Sequence, residues 1–215
     1  MLKIEQVSDS LLNKIISPIS VEKMAVVSPQ VAQRAISIKM GDLKNTYEIK
    51  EMTKQSFSGD FEATLFDGSK VRIAYENHLV YIGVLEHKSF WTWNKLKSSP
   101  GYALVDCSDE NKVYLIKEVN GQPLSIKYTN ASNWDYNLER HLRNNGYASE
   151  ILEDLNIELD ENGRPFCPAT IMKNTIVWGT PKVIGVAVVD VQSGEIKRYG
   201  VDDAPAFVNM VYPED

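Results

Sequence analysis

Two segments in the last third of the chain share one hairpin pattern. Residues 157–166 and residues 186–199 each run from an apolar stretch through an aspartate, Asp160 or Asp190, to a polar tip that contains a glycine. Glycine adopts positive φ without a steric clash, and an aspartate side chain accepts hydrogen bonds from nearby backbone N–H groups. The pattern therefore predicts two tight antiparallel hairpins and limits the fold to classes that contain them.

Short segments rich in β-branched and aromatic residues fill the middle of the chain. Turn dipeptides separate several of them, among them Asp67-Gly68 and Asn120-Gly121. Because strands joined by such turns pair antiparallel, these segments predict β-meanders. The predicted strands are Tyr47–Met52, Phe61–Phe66, Val71–Tyr75, Leu79–Leu85, Tyr102–Val105, Val113–Ile116 and Leu124–Tyr128.

Helix signals stand near the beginning of the chain. Ser8 is a candidate N-cap for an apolar stripe over residues 11–16. Ser28 followed by Pro29 predicts a second helix, because proline suits the first helical position, where no N–H is needed. Gly41 is the candidate end of that second helix.

The best-marked helix is predicted after Ser132 and ends at Gly146, a residue suited to a left-handed cap. One apolar face of this helix consists of Trp134, Leu138 and Leu142. The pattern therefore places Trp134 in the core. Shorter helices are predicted over residues 151–155 and over residues 203–211.

These elements predict an α+β fold of antiparallel β-hairpins and meanders with helices packed on one face. A cluster of serine, proline and glycine divides the sequence near Ser99. Residues 1–99 form a helix-plus-meander part, and residues 100–215 form a hairpin–helix–hairpin part. A single domain in which both parts share one core is the alternative.

The acidic charge of the chain lies towards its C-terminal end. The net charge is −6, from 23 lysine and arginine residues against 29 aspartate and glutamate residues. Residues 1–145 carry 18 basic and 17 acidic residues, so residues 146–215 carry 5 and 12. Because an acidic surface repels phosphate backbones, we predict no nucleic-acid binding through the C-terminal part. No apolar stretch approaches the length of a membrane span, and residues 1–7 lack a signal-peptide pattern, so we expect a soluble chain.

Residues 185–196 combine an apolar strand, an aspartate and a Ser-Gly-Glu tip. This phrase resembles the hairpin of PepSY-like domains, which are small α+β modules linked to inhibition or protein interaction in bacterial envelopes. Three further phrases, over residues 100–106, 139–143 and 203–211, look like those of a poorly characterised group of large bacterial or phage-encoded proteins. The resemblances imply an α+β fold and a non-catalytic role, and they supply no site residue.

The three histidines are His78, His87 and His141. His141 falls in the last turn of the best-marked helix, where a cation favours the helix dipole, so we predict a structural role for it. His78 and His87 flank one predicted strand, with Glu76 and Glu86 nearby. These four residues could bind zinc only if both strand ends folded together, and no metal site is predicted.

The two cysteines, Cys107 and Cys167, follow no metal-binding or redox spacing. Cys107 follows Asp106 in a polar turn that we expect to be exposed, so it is the better candidate nucleophile. Neighbouring carboxylates would raise the pKa of its thiol, however, and this opposes activation. Free thiols are predicted for both cysteines, and a disulfide between them is the alternative.

Trp91 and Trp93 are the candidate surface for a partner or ligand. In an extended segment, side chains two positions apart share one side. Such a pair either packs in a core or forms an aromatic patch that contacts a protein or a sugar. The carboxylates of residues 106–110 and 160–161 lack the spacing of a calcium loop, and we predict that they are solvated hairpin tips.

The sequence contains no phosphate-binding glycine loop, dinucleotide fingerprint, nucleophile elbow or zinc-protease motif, and no cofactor is predicted. The leading hypothesis is a non-enzymatic structural or protein-interaction domain of a bacterial envelope or phage assembly, with a protein partner or self-association. One alternative is an enzyme of unrecognised type with a pocket of cysteine, histidine and carboxylate groups. Another is a small-ligand or carbohydrate-binding module that uses Trp91 and Trp93.

Overall fold

The computed structural model describes residues 27–173 and 181–208, which form a mixed α+β fold with antiparallel sheets, as predicted. Helix α1, Pro29–Met40, begins where the Ser28 hydroxyl accepts a hydrogen bond from the Val31 N–H at 3.3 Å. It ends at Gly41, whose φ is +50°. Both ends are as predicted. The helix predicted over residues 11–16 lies outside the described residues, as do residues 209–211. The described part of the helix predicted over residues 203–211 does not form one, because the 3-10 turn ends at Asp203 and residues 204–208 are not helical. Within the described ranges, no helix is long and apolar enough to cross a membrane.

The first half of the described chain is dominated by a sheet that closes on itself. Its strands and those of a small separate ribbon are β1 (Tyr47–Glu48), β2 (Thr53–Leu65), β3 (Lys70–Val84), β4 (Glu86–His87), β5 (Tyr102–Asp106), β6 (Val113–Val119) and β7 (Gln122–Pro123). Strand β2 pairs with β3, β3 with β5, and β5 with β6, and β6 returns to β2. This closure protects the edges of the four strands, as in a small barrel. Strand β7 extends β6, and β1 pairs with β4.

Strands β2 and β3 are longer than the sequence predicted. The segments predicted at residues 71–75 and 79–85 belong to one strand, β3. Asn77, between them, has a left-handed φ of 47°, but the strand continues through it. The Asn77 N–H donates to the Ser58 hydroxyl at 2.8 Å and holds the irregularity in place. The hairpin between the strands turns at Gly68, whose φ is +87°, as the Asp67-Gly68 dipeptide predicted.

The second sheet contains the two matched hairpins. Its strands are β8 (Ile151–Glu153), β9 (Glu158–Leu159), β10 (Pro165–Lys173), β11 (Lys182–Asp190) and β12 (Ile196–Tyr199). At both tips the predicted aspartate bonds the backbone: Asp160 accepts from the Arg164 N–H at 2.8 Å, and Asp190 from the Gln192 N–H at 2.9 Å. The helix predicted over residues 151–155 was wrong, because this segment pairs with β10.

Two further helices are short. Helix α2 spans Phe90–Leu96 and helix α3 spans Leu138–Leu142. Helix α3 begins later than predicted: its N-cap is Asn137, which accepts from the Arg140 N–H at 3.1 Å, and not Ser132. The preceding residues, Trp134–Tyr136, form a 3-10 turn.

The core has two parts, on the two faces of the closed sheet. Leu104 belongs to the first part, which also includes α3 and the second sheet, whereas Ala103 and Val105 belong to the second part under α1. This alternation arises because successive strand side chains point to opposite faces. The sheet and the first part of the core both contain residues from either side of Ser99. Since α1 and α3 contribute to different parts, the structure does not show all helices packed on one face.

Candidate functional site

Helix α2 separates the two tryptophans that the sequence marked as a candidate surface. Side chains two positions apart diverge on a helix, whereas they share a face on a strand. Trp91 is 78% exposed and Trp93 is 7% exposed. A shared face was expected only for an extended segment, and the helix rules it out. Trp91 contributes to the surface, whereas Trp93 is buried and contacts other aromatic rings.

A row of aromatic contacts runs from Trp93 towards helix α3. The Trp93 ring stacks with Phe90 at a centroid distance of 6.3 Å and meets Tyr136 edge-on at 6.0 Å. Tyr136 contacts Tyr128 at 5.4 Å, and Tyr128 contacts His141 at 4.4 Å. The row therefore joins two helices that are distant in sequence. His141 also bonds the Gly194 carbonyl at 2.8 Å through Nε2, which fits the structural role predicted for it.

Trp134 lies on the surface, and the prediction that it belongs to the core was wrong. It is 62% exposed and adopts a left-handed φ of 56°. The apolar stripe of the predicted helix places it in the core only if the helix begins before it, and α3 begins at Leu138. A bulky residue with positive φ stores strain of about 1–3 kcal/mol, and such strain concentrates at functional positions.

A cavity of about 210 Å³ lies beside Phe90 and Trp93. Strand β4, the start of helix α2 and residues 126–133 supply most of its walls. These segments meet because Ser99 and Ile126 exchange backbone hydrogen bonds of 2.6 and 2.9 Å. The lining residues are Lys50, Glu86, His87, Lys88, Ser89, Phe90, Trp93, Ser99, Ile126, Thr129, Ala131, Ser132 and Asn133, and we call the space the Glu86–His87 cavity.

Glu86 brings a largely buried carboxylate to this cavity. Its side chain is 12% exposed, and burial raises its pKa, while the Thr129 hydroxyl and the Lys50 ammonium act in the opposite direction. The Lys50 Nζ lies 3.8 Å from Glu86 Oε2, which is beyond hydrogen-bond distance. Within the described part of the chain, no residue donates a hydrogen bond to Oε2.

His87, the next residue on β4, is also buried. Its Nε2 lies 2.8 Å from the Ser98 carbonyl oxygen, and since a carbonyl only accepts, Nε2 carries a proton. In the neutral ring Nδ1 is then an acceptor, and no donor among residues 27–173 and 181–208 reaches it. Glu86 Oε2 and His87 Nδ1 are thus buried side-chain atoms without a hydrogen-bond partner among the described residues, and Nδ1 is an acceptor when the ring is neutral.

The zinc alternative drew on His78 and Glu76 together with these two residues. Among the described residues, no group of three or more histidine, cysteine, aspartate or glutamate side chains could hold a metal ion. His78 instead stacks on Tyr75, at a ring centroid distance of 4.6 Å, and bonds Asp106.

Asp106 is the centre of a second polar cluster, outside the cavity. Its side chain is 1% exposed, and His78 Nε2 lies 2.6 Å from Oδ1. The other donors are the Ser108 N–H at 2.8 Å, the Ser108 hydroxyl at 2.6 Å, the Tyr75 hydroxyl at 3.1 Å and the Lys112 ammonium at 3.4 Å. Burial raises the pKa of Asp106, but the hydrogen bonds from His78 and Ser108 outweigh it and hold the pKa well below its usual range. Asp106 is therefore a buried anchor and not part of the solvated tip that was predicted, whereas Glu110 in the same turn is exposed.

Both cysteines are buried free thiols. Cys107 was expected in an exposed turn, but its N–H donates to the Leu79 carbonyl at 3.0 Å and its side chain lies in the core. Burial raises the pKa of Cys107 to about 11, with a smaller rise from Asp106, so the thiol is protonated at neutral pH. Burial also raises the pKa of Cys167. The predicted direction for Cys107 was correct, although its main cause is burial.

The sequence alone did not identify the Glu86–His87 cavity. Glu86 and His87 were considered only as zinc ligands, and Lys50 and Thr129 were not considered. One signal was available, since adjacent charged and imidazole groups directly before an aromatic segment are unusual at the end of an apolar strand. Comparison of the chain with protein-family models, curated proteins and solved structures finds no match.

Proposed function

We propose that this protein is a non-enzymatic recognition domain that holds a small polar group in the Glu86–His87 cavity. One observation carries the proposal: two buried acceptors without donors, Glu86 Oε2 and His87 Nδ1, belong to residues that line the same cavity. A buried acceptor without a partner costs about 1–3 kcal/mol. A ligand that donates hydrogen bonds to these atoms removes this energetic penalty of the unbound protein. The removal of the penalty adds to the free energy of binding.

The titratable groups elsewhere favour binding over covalent chemistry. A cysteine nucleophile needs a thiolate, and burial raises the pKa of Cys107 to about 11. The Asp106 carboxylate already accepts from His78 and Ser108 and so serves as an anchor for the turn. The Glu86–His87 cavity combines a carboxylate of raised pKa with convergent polar groups, which is the pattern of a ligand site.

The wider role that we propose is that of a protein-interaction domain in a bacterial envelope or phage assembly. The support is the resemblance of residues 185–196 to a PepSY-like hairpin, together with the exposed rings of Trp91 and Trp134. Exposed tryptophans are frequent energetic centres of protein interfaces. In this view the bound polar group belongs to, or accompanies, a partner molecule.

The cavity itself is tested by filling it. Ala131 lines the Glu86–His87 cavity, and Ala131→Leu adds three carbon atoms there. We expect saturation-transfer difference NMR with a diverse mixture of polar fragments to detect binding to the full wild-type chain. The signals of the bound fragments should fall at least about tenfold in Ala131→Leu, because the added methyl groups occupy their space.

Ala148→Leu is the matched control, since Ala148 is exposed and lies outside the cavity. It should bind fragments as the wild type does, and both variants should keep the wild-type circular dichroism spectrum. Equal fragment signals in the two variants, or no binding to the wild type, would show that the cavity is not a ligand site.

A further inference from the structure

We infer that the Glu86–His87 cavity takes a neutral, polyhydroxylated ligand, one ring of a sugar or cyclic polyol. This inference rests on the proposed function and specifies the ligand of the same site. Three observations support it: the side-chain atoms without hydrogen-bond partners, the charged residues of the wall and the exposed apolar surface of Phe90.

The open hydrogen bonds require a donor. Glu86 Oε2 is an acceptor, and His87 Nδ1 is an acceptor in the neutral ring, because Nε2 donates to the Ser98 carbonyl. A carboxylate ligand brings only acceptor oxygens at neutral pH, so it cannot satisfy either atom. Inorganic phosphate keeps one or two hydroxyl groups at this pH, but its negative charge repels the Glu86 carboxylate. Hydroxyl, amide and ammonium groups can satisfy these atoms.

The charges of the wall disfavour an ammonium ligand. Of the lining residues that the structure describes, Glu86 is the only acid, whereas Lys50 and Lys88 are basic. The Lys50 Nζ already lies 3.8 Å from Glu86 Oε2 and supplies the opposite charge. A second cation would meet two like charges around one carboxylate. Neutral hydroxyl donors do not meet this repulsion.

The apolar side of the cavity fits the flat C–H face of a saturated ring. Phe90 lines the cavity and is 43% exposed, so part of its ring remains uncovered. Trp93 supports Phe90 from inside at a centroid distance of 6.3 Å. The volume of about 210 Å³ is below the usual range for sites that enclose a drug-sized molecule, so one ring is the unit that it can hold.

A panel of probes tests the ligand class on the full chain by isothermal titration calorimetry and saturation-transfer difference NMR. The neutral probes are D-glucose, D-galactose, N-acetyl-D-glucosamine, myo-inositol and the (1→4)-linked tetramer of glucose. The charged probes are methylammonium chloride, whose N–H groups can donate, and inorganic phosphate. We expect at least one neutral probe to bind with a Kd in the millimolar range, as is ordinary for a single small ring, and both charged probes to bind more weakly.

Two matched pairs of variants locate the binding. Glu86→Gln should raise the Kd of the neutral probe about tenfold, because one hydrogen bond to a charged group contributes about that factor. Glu48→Gln should leave the Kd unchanged. Glu48 is the control because its carboxylate also lies 3.8 Å from Lys50 Nζ, yet it does not line the cavity. Phe90→Ala should weaken binding, and Leu96→Ala, on the same helix and 49% exposed, should not.

The outcomes separate the ligand class from the site. If methylammonium or phosphate binds more tightly than every neutral probe, or if Glu86→Gln and Phe90→Ala leave binding of the neutral probes unchanged, the inference is wrong. Should no panel member bind while other fragments still bind and are blocked by Ala131→Leu, the inference fails and the proposed function stands. If the tetramer binds more tightly than glucose, the source is a glycan chain and not a free monosaccharide.

Discussion

Two carboxylates largely shielded from solvent lie at opposite ends of the same strand pair and have opposite environments. Asp106 ends β5 opposite Val80, and Glu86 lies beyond the other end, where Val84 pairs with Tyr102. Donors from His78, Ser108, Tyr75 and Lys112 reach the Asp106 carboxylate. At Glu86, in contrast, the Thr129 hydroxyl and the Lys50 ammonium, 3.8 Å from Oε2, oppose burial without outweighing it, and no described residue donates to Oε2.

The difference separates two uses of buried charge. Where hydrogen bonds saturate a carboxylate, its ionised form is stabilised and the carboxylate holds the fold together. Where burial dominates, as at Glu86, the pKa rises and the folded state carries a cost. Such a cost is expected at binding sites, because a ligand removes it. Substitutions at Asp106 and at Glu86 test the two sides of this contrast.

The largest effect is expected at Asp106. Asp106→Ala leaves the Ser108 N–H and the His78 ring without their acceptor in a buried turn, so it should lower the free energy of unfolding by about 3 kcal/mol. Urea denaturation at pH 7 measures this value. The control is Asp109→Ala, which removes the 3.0 Å bond to the Asn111 N–H in the more exposed part of the same loop and should cost less than about 1 kcal/mol. If Asp106→Ala and Asp109→Ala lower the free energy of unfolding equally, Asp106 is not a special anchor of the turn.

The acid side of the stability curve provides a second test of Asp106. Its folded pKa is lower than its unfolded pKa, which is about 3.9. Its contribution to stability is therefore present above about pH 4 and is lost as the pH falls through the folded pKa. Asp106→Asn should flatten the decrease in the midpoint of thermal unfolding between about pH 4 and pH 2. An unchanged slope would show that Asp106 does not carry this stability.

A smaller effect is expected at Trp134, where the backbone rather than a charge carries the cost. Trp134 is exposed with a φ of 56°, and asparagine tolerates this conformation better than other residues with a β-carbon. Trp134→Asn should therefore be about 1 kcal/mol more stable than Trp134→Ala in urea denaturation. If alanine is equally stable, the strain at this position is negligible.

The smallest effect on stability is expected at Glu86, and its sign is opposite to that at Asp106. Because the folded pKa of Glu86 is raised, its stabilising contribution is present below about pH 4.3 and is lost as the pH rises through the folded pKa. Glu86→Gln removes this loss and should raise the free energy of unfolding at pH 7 by about 0.5 kcal/mol. A decrease of more than 1 kcal/mol would mean that the Lys50–Glu86 pair is structural and that the two carboxylates do not differ in kind.

The parts of the fold that local chemistry controls could be predicted. Ser28, Pro29 and Gly41 bound α1 because cap bonds span only a few residues. Asp160 and Asp190 shape their tips for the same reason. Local patterns failed where partners distant in sequence decided the conformation. Residues 151–155 alternate too little to mark a strand, yet pairing with β10 makes Ile151–Glu153 one.

The candidate site was accessible to sequence reasoning only in part. Trp93 and Phe90 lay in the segment that the sequence marked, but its helical geometry, which buries one tryptophan and exposes the other, was not predicted. Trp134 was predicted to be buried but is exposed, and Cys107 was predicted to be exposed but is buried. In each case the local pattern was compatible with either environment, and burial depends on which distant segment covers a side chain.

The sequence by itself determined the two matched hairpins, the caps of α1, the acidic C-terminal part and the mixture of helices with antiparallel strands. Only the tertiary structure decided that β2 and β6 close the first sheet and that Ser99 joins Ile126 beside Glu86 and His87. The physical reason is the separation in sequence between the groups that interact. Turns and caps are satisfied by hydrogen bonds between near neighbours, whereas a buried acceptor without a donor exists only after distant segments have excluded water from it.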